Sequence, residues 1–217
     1  MGAVVVTSWG TVVELAGGVA LIVVLMVVLS EGKVAGKSLL RLIYTVLAPI
    51  LAASDPGRRW GDVCALLDLG SARSLLDIGC GGGGLLRCAL SEADGLQVTG
   101  LDWSAAVAGR VRRRLVPHGR FRVVVADVSG GLPFADCAFD RVASFGVLPG
   151  LRNWRFVLAE MHRVLEPGGR LILGGGNVLL WPLDEEQALA AAAMLGFEMQ
   201  RRVEPAPHGE VWLFEKM

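Results

Sequence analysis

A run of glycines between an apolar segment and a helical one is the feature that most restricts the fold of this 217-residue chain. Residues 74–78 read SLLDI, a short apolar strand, and residues 79–84 follow at once as GCGGGG, before a helical pattern that runs to Ser91. A strand, a glycine-rich turn and a helix in this order form one unit of a parallel sheet. The turn then lies at the carboxyl end of the strand, where such sheets bind ligands.

The same alternation continues to the carboxyl terminus. Strands are predicted at 98–102, 121–126, 139–144 and 170–174, and helices at 58–69, 105–116, 154–165 and 184–195. The last two strands, 198–203 and 210–215, have no helix between them and must therefore be antiparallel. The pattern predicts an α/β fold with a parallel sheet and right-handed crossovers.

Charge and cysteine content exclude several classes of protein. Lys plus Arg number 21 and Asp plus Glu number 21, so the net charge is zero, which disfavours nucleic acid as a partner. The four cysteines form no CxxC pair, so neither a disulfide framework nor a zinc knuckle is expected, and we predict reduced thiols and no metal site.

The excess of apolar residues lies near the amino terminus. Residues 9–29 carry a single charge, Glu14, and a helix of that length spans about 30 Å, the thickness of a bilayer core. No Lys or Arg precedes this run, whereas Lys33, Lys37 and Arg41 follow it. We therefore predict a single-pass membrane protein with its amino terminus outside and the remaining chain in the cytoplasm. The alternative is a buried or oligomerising apolar helix.

A second apolar stretch, residues 38–53, contains Arg41 and is broken by Pro49. It is too short to span a bilayer comfortably, so it is interpreted as interfacial, or alternatively as a helix packed on the following domain. The predicted organisation is a transmembrane helix over 1–32, an amphipathic connector over 33–56 and the α/β domain over 57–217.

Acidic residues end the first three predicted strands: Asp77, Asp102 and Asp127. Together with the glycine-rich turn they offer a backbone cradle, an acceptor for ribose hydroxyls and an acceptor for a purine amine, which suits an adenosine-bearing cofactor. A nicotinamide dinucleotide is the first competitor. Asp77 argues against this cofactor, because its carboxylate would repel the pyrophosphate of a dinucleotide. The same carboxylate would attract the ammonium group of an amino acid.

Five segments resemble, in order, those of class I S-adenosylmethionine-dependent methyltransferases of the small-molecule and lipid-quinone type, also called methyltransferase type 11. They are LLDIGCGGG at 75–83, GLDWS at 100–104, ADVSGGLPFADCAFD at 126–140, ASFGVL at 143–148 and LAEMHRVLEPGGRLIL at 158–173. The resemblance covers about residues 67–217. It implies a Rossmann-like sheet of order 3-2-1-4-5-7-6 with the last strand antiparallel, and S-adenosyl-L-methionine as the cofactor.

The resemblance also implies roles for individual residues. Asp77 and the loop backbone would take the methionine end of the cofactor, Asp102 the ribose, and Asp127 the adenine amine, although Asp127 could instead cap a turn. Ser144 and Phe145 would line the methionine side near the sulfonium. The cofactor-binding residues so implied are Asp77, Gly79, Cys80 (through its backbone), Gly81, Asp102, Trp103, Asp127, Val128 and Ser144.

The chain departs from many such enzymes after the fourth strand. Where relatives often carry a histidine, residues 147–150 read VLPG, so no general base and no catalytic residue is predicted. Residues 174–182 contain no lid insertion, so residues 33–60 or the membrane itself would cover the acceptor. We therefore expect the bilayer as a partner and a hydrophobic or membrane-resident acceptor, such as a quinone or a lipid headgroup. A cofactor-binding interaction subunit of a membrane complex is the alternative, and a homo-oligomer is left open.

Overall fold

Seven strands form one sheet in the computed structural model, which describes residues 60–148, 151–174, 184–206 and 209–217. The strands are β1 (Ser74–Ile78), β2 (Gln97–Asp102), β3 (Phe121–Val125), β4 (Phe139–Phe145), β5 (Leu165–Gly174), β6 (Phe197–Ala206) and β7 (Gly209–Lys216). Their order is β3-β2-β1-β4-β5-β7-β6, and β7 runs antiparallel to both of its neighbours. The predicted strand order and the antiparallel last strand are confirmed.

Helices cover both faces of the sheet. Those in the described residues are α1 (Trp60–Leu66), α2 (Gly84–Glu92), α3 (Ala105–Leu115), α4 (Trp154–Val164) and α5 (Glu185–Leu195). The first three share one hydrophobic core and the last two share the other, so the domain has three layers. Each crossover between the parallel strands therefore carries its helix to one face of the sheet.

The first strand contributes to both cores. Leu75 packs with α1, α2 and α3, whereas Leu76 packs on the opposite face with α4 and α5, and neither side chain is exposed. Burial on both faces explains why the strand reads as continuously apolar rather than alternating. Its carboxyl end, which carries Asp77, is consequently held between two packed layers.

Among the predicted boundaries that differ from the structure, two have an identifiable physical reason. The first helix ends at Leu66 instead of residue 69, because Asp68 adopts a left-handed φ of 52°. The fifth strand begins at Leu165 instead of residue 170, because Leu165 pairs with Phe139 before an irregularity in the register. Gly168, with φ of 72°, lies within that irregularity, so the predicted Pro-Gly-Gly turn is a bulged segment of the strand.

The predicted membrane segments fall outside the described part of the chain. Among residues 60–148, 151–174, 184–206 and 209–217, no helix has the length and apolar character needed to cross a bilayer. The predicted transmembrane helix at 9–29 and the interfacial connector at 33–56 both precede residue 60, and they stay predictions.

Candidate functional site

A glycine-rich loop, residues 79–83, joins β1 to α2. The N–H groups of Gly79 and Cys80 both donate to the Leu101 carbonyl, at 2.7 and 3.0 Å, which fixes the loop against β2. Gly79 has φ of 75°, and a Cβ atom at this position would lie only 2.3 Å from Val147 Cγ2. The loop therefore requires glycine at position 79, where the segment after β4 passes directly beside it.

Asp102 ends β2 and is 1% exposed. Its carboxylate accepts hydrogen bonds from two backbone groups, the N–H of Gly81 at 3.2 Å and the N–H of Ser104 at 2.9 Å. These two backbone donors orient the Asp102 carboxylate toward the glycine-rich loop. Asp102 thus joins the two turns that were predicted to hold the methionine and ribose ends of the cofactor.

Asp77 lies at the end of β1, 4% exposed, and Cys80 follows in the loop. Burial, together with the negative charges of Asp77 and Asp102, raises the pKa of the Cys80 thiol well above its ordinary value. The thiol is therefore protonated at neutral pH. A protonated thiol is a weak nucleophile, and the role of the Cys80 backbone in binding the cofactor stays a prediction.

The turns after β2 and β3 lie side by side, since the Ala126 N–H donates to the Asp102 carbonyl at 3.1 Å. Trp103 is half-buried, and Val128 is buried in the core beneath α4. Asp127 is exposed and accepts from the N–H and the hydroxyl of Ser129, at 3.0 and 2.7 Å. Asp127 therefore caps a short 3-10 helix, as the alternative interpretation had it, at the position predicted for adenine binding.

Ser144 lies near the end of β4, beside Ile78 of β1, and is 3% exposed. In the described part of the chain, its hydroxyl is the buried side-chain polar atom that has no hydrogen-bond partner. A buried hydroxyl without a partner costs free energy, and native proteins seldom retain one unless a ligand or water satisfies it. This atom lies where the methionine side of the cofactor is predicted, so the residues present fit that group.

The first described residue of the chain lies beside this edge of the sheet. Trp60, the first residue of α1, contacts Phe145 of β4 edge to face, with ring centroids 5.1 Å apart. Sequence reasoning assigned Phe145 to the site but missed Trp60. No local signal marks Trp60, because its contact joins positions 85 residues apart in the chain.

A second loop near the adenine side, residues 128–136, is held by α4. Glu160 accepts the N–H of Leu132 at 2.8 Å, and Arg163 donates to the carbonyl of Phe134 at 2.8 Å. The hydrogen bond from Arg163 lowers the pKa of Glu160, and burial opposes this shift. His162, in contrast, packs edge to face on Phe197, and burial lowers its pKa. The E-x-x-R pair thus braces this loop.

All nine predicted cofactor residues therefore lie at the carboxyl ends of β1 to β4. Two buried carboxylates, Asp77 and Asp102, lie at this edge beside the backbone N–H groups of the glycine-rich loop. This arrangement suits a ligand with a cationic end and hydroxyl groups, and it disfavours a pyrophosphate.

Residues 76–173 match the family of domains described as "Methyltransferase domain". A demethylmenaquinone methyltransferase of Thermus thermophilus is 33% identical over 102 residues, which are 46% of this chain and 46% of that relative. The chain spans about half the length of the curated relatives that it matches.

Solved structures show the same fold at low identity. An S-adenosylmethionine-dependent methyltransferase from Aquifex aeolicus has a TM-score of 0.68 at 16% identity, over 80% of this chain and 98% of its own. The N-methyltransferase NodS of Bradyrhizobium japonicum, solved with S-adenosyl-L-homocysteine, scores 0.62 at 19% identity, over 75% and 89%. The [4+2]-cyclase SpnF scores 0.67 at 18% identity, over 81% and 94%.

Residues 76–173 thus match a methyltransferase domain, and the described residues share the Rossmann-like fold of solved S-adenosylmethionine-dependent methyltransferases. The roles of single residues in binding the cofactor stay predictions.

Proposed function

We propose that this chain transfers the methyl group of S-adenosylmethionine to a hydrophobic small molecule or lipid, and that residues 9–29 anchor it in a membrane. The contact between Trp60 and Phe145 is the observation that carries this proposal. It ties the first described residue to the end of β4, at the residue that follows Ser144, whose side chain points to the opposite face of the sheet. A chain that leaves the domain at Trp60 toward a bilayer would keep this edge of the sheet near the membrane surface.

The residues at the edge would divide the binding of the cofactor among them. Asp77 and the loop N–H groups would hold the ammonium and carboxylate of its methionine part, and Asp102 would accept from the ribose hydroxyls. Asp127 and the Val128 backbone would bind the adenine. The Ser144 hydroxyl would gain its missing partner from the methionine side. The bound cofactor supplies an electrophilic methyl group.

The proposed acceptor side would be apolar. Val147 is half-buried against Gly79, and Leu148 is 4% exposed. These side chains would exclude water and orient an apolar acceptor for in-line attack, a process in which positioning and desolvation supply much of the rate. A quinone-like acceptor is further supported by the name of the Thermus thermophilus relative, demethylmenaquinone methyltransferase.

The proposed orientation in the membrane rests on the charge distribution of the first 41 residues. The amino terminus would lie outside and the methyltransferase domain in the cytoplasm, because Lys33, Lys37 and Arg41 follow the apolar run and no basic residue precedes it.

Transfer of a labelled methyl group tests the proposal. Full-length protein in detergent would receive methyl-labelled S-adenosylmethionine with, in separate reactions, membrane lipid extract, soluble metabolites or protein. We expect label in the lipid extract, its loss in Asp102→Asn, and its retention in the control Asp94→Asn, which changes an exposed carboxylate. Label in the soluble metabolites alone would contradict a membrane acceptor.

A cofactor-binding interaction subunit is the second candidate. It is favoured by the apolar residues Val147 and Leu148, which stand where a general base is otherwise common. Under this hypothesis the protein would bind S-adenosylmethionine, and no fraction would acquire label.

A further inference from the structure

Three potential metal ligands converge where α1 packs against α2, and none of them is a residue predicted to bind the cofactor. They are Cys64 of α1 and Cys88 and Glu92 of α2, and one ligand atom from each lies within 4.8 Å of the other two. Cys64 is buried, Cys88 is half-buried and Glu92 is exposed, so the cluster runs from the core to the surface. The two cysteines are far apart in sequence, which is why no metal site was expected.

The geometry of the two helices produces this convergence. Cys88 and Glu92 are four residues apart on α2 and therefore lie on the same face of that helix. On α1, Gly61 and Cys64 are three residues apart, and a Cβ atom at Gly61 would lie 3.5 Å from Glu92 Oε1. Both residues of α1 thus face the same side chain of α2.

The three side chains already lie close together. The Cys64 and Cys88 sulfur atoms are within 4.8 Å of each other, and Cys88 Sγ donates to Glu92 Oε1 at 3.2 Å. Two thiols with one carboxylate carry a charge of −1. A divalent cation that displaces both thiol protons leaves two thiolates, one carboxylate and the cation, again −1. Metal binding therefore adds no net charge to a partly buried site.

We propose that Cys64, Cys88 and Glu92 bind a thiophilic divalent cation, for which Zn²⁺ is the natural probe. Two sulfur ligands and one carboxylate oxygen suit Zn²⁺, with water at a fourth, solvent-facing position. The ion would join α1 to α2 and so fix Trp60, the residue of α1 that contacts Phe145. Binding releases two protons per ion, so the affinity rises with pH.

The test uses reduced, chelator-treated full-length protein in detergent. Zn²⁺ is titrated against a chromophoric chelator, and Co²⁺ is used separately to report sulfur ligation through its thiolate charge-transfer absorption. We expect one ion per chain, release of about two protons and a thiolate band with Co²⁺.

Substitutions identify the ligands. Loss of an outer-shell partner already costs about 10–100-fold in metal affinity, so Cys88→Ser should cost at least about 100-fold and Glu92→Gln at least about tenfold. Cys137→Ser, which changes an exposed cysteine, is the matched control and should bind as the wild type does. Cys64 is left unchanged in these variants, because substitution of a buried side chain would lower the stability of the protein as well as its metal affinity.

The proposal is overturned by a stoichiometry near zero, by unchanged affinity in Cys88→Ser, or by a Co²⁺ complex without the thiolate band. Methyl transfer is measured independently, since none of the three ligands belongs to the predicted cofactor site.

Discussion

Two loops at the carboxyl edge of the sheet are each held by a carboxylate, and the two carboxylates have different surroundings. Asp102 accepts from the N–H groups of Gly81 and Ser104 and is 1% exposed. Glu160 accepts from the Leu132 N–H and is also paired with Arg163, with a nitrogen–oxygen distance of 2.7 Å. The charge of Glu160 is thus compensated within the protein, whereas Asp102 orients the very loop that is predicted to hold the cofactor. Substitution of Asp102 should therefore change mainly the affinity for the cofactor, whereas substitution of Glu160 should change mainly the free energy of unfolding.

The largest effect is expected for Gly79→Ala. The left-handed φ and the clash with Val147 together should cost about 2–4 kcal/mol of unfolding free energy and abolish cofactor binding. Gly119→Ala is the matched control, because its φ is 69° but nothing lies within 4 Å of the added Cβ, so only about 1 kcal/mol is expected. Urea unfolding and equilibrium binding measure both. An equal loss of unfolding free energy in the two variants would show that the Val147 side chain moves aside for the added methyl group.

Asp102→Asn should mainly change ligand affinity. Hydrogen bonds to a charged group contribute about 1.5–3 kcal/mol, so its loss should weaken S-adenosylmethionine binding by about 10–100-fold. Calorimetric titration of the wild type, this variant and the control Asp94→Asn measures the change. Unaltered affinity for S-adenosylmethionine in Asp102→Asn would show that Asp102 does not bind the cofactor.

Glu160→Gln should instead lower stability, by about 1 kcal/mol, and leave cofactor affinity within about twofold. Because the folded-state pKa of Glu160 lies below its ordinary value of 4.5, the contribution of its charge is fully present above pH 4.5. It is lost as the pH falls through the lower folded-state pKa. The stability difference between wild type and variant, measured by urea unfolding, should therefore shrink in acid. A difference that grows in acid would contradict the Arg163 pairing.

Ser144→Ala should have the smallest effect. It should leave stability unchanged or raise it, whereas it should weaken binding of the cofactor. Removing an unpartnered buried hydroxyl should leave stability unchanged within about 0.5 kcal/mol or raise it. Removing a hydroxyl that binds the cofactor should weaken binding by about 3–10-fold. Ser91→Ala, which removes an exposed hydroxyl bonded to the Cys88 carbonyl, is the control for binding. Lower stability with unchanged affinity would assign Ser144 a structural role instead.

The parts of the fold that depend on local pattern were predictable from the sequence. The strand Ser74–Ile78 was predicted at its observed bounds, because an apolar run buried on both faces ends at a glycine that must adopt positive φ. The helix Ala105–Leu115 was predicted within one residue, because Ser104 supplies an N-terminal cap. The predicted site residues follow strand ends, and parallel strands bring such ends to one edge.

The features that were missed depend on contacts between distant positions. The pairing of Leu165 with Phe139 extends β5 through the Pro-Gly-Gly segment, and no local pattern reveals a bulge. Trp60 contacts Phe145 only because α1 packs beside the sheet edge. Cys64 lies close to Cys88 only because α1 packs against α2. The hydrogen bond that Asp102 accepts from the Gly81 N–H, 21 residues away in the chain, likewise follows from packing.

The most direct test of the central claim is the affinity of full-length protein for S-adenosylmethionine, measured in parallel for wild type, Asp102→Asn and Glu160→Gln. We predict saturable binding of one cofactor per chain, a loss of about 10–100-fold in Asp102→Asn, and an affinity within about twofold of wild type in Glu160→Gln. Equal affinities in all three proteins, or no binding by the wild type, would contradict the assignment of the cofactor site to this edge of the sheet.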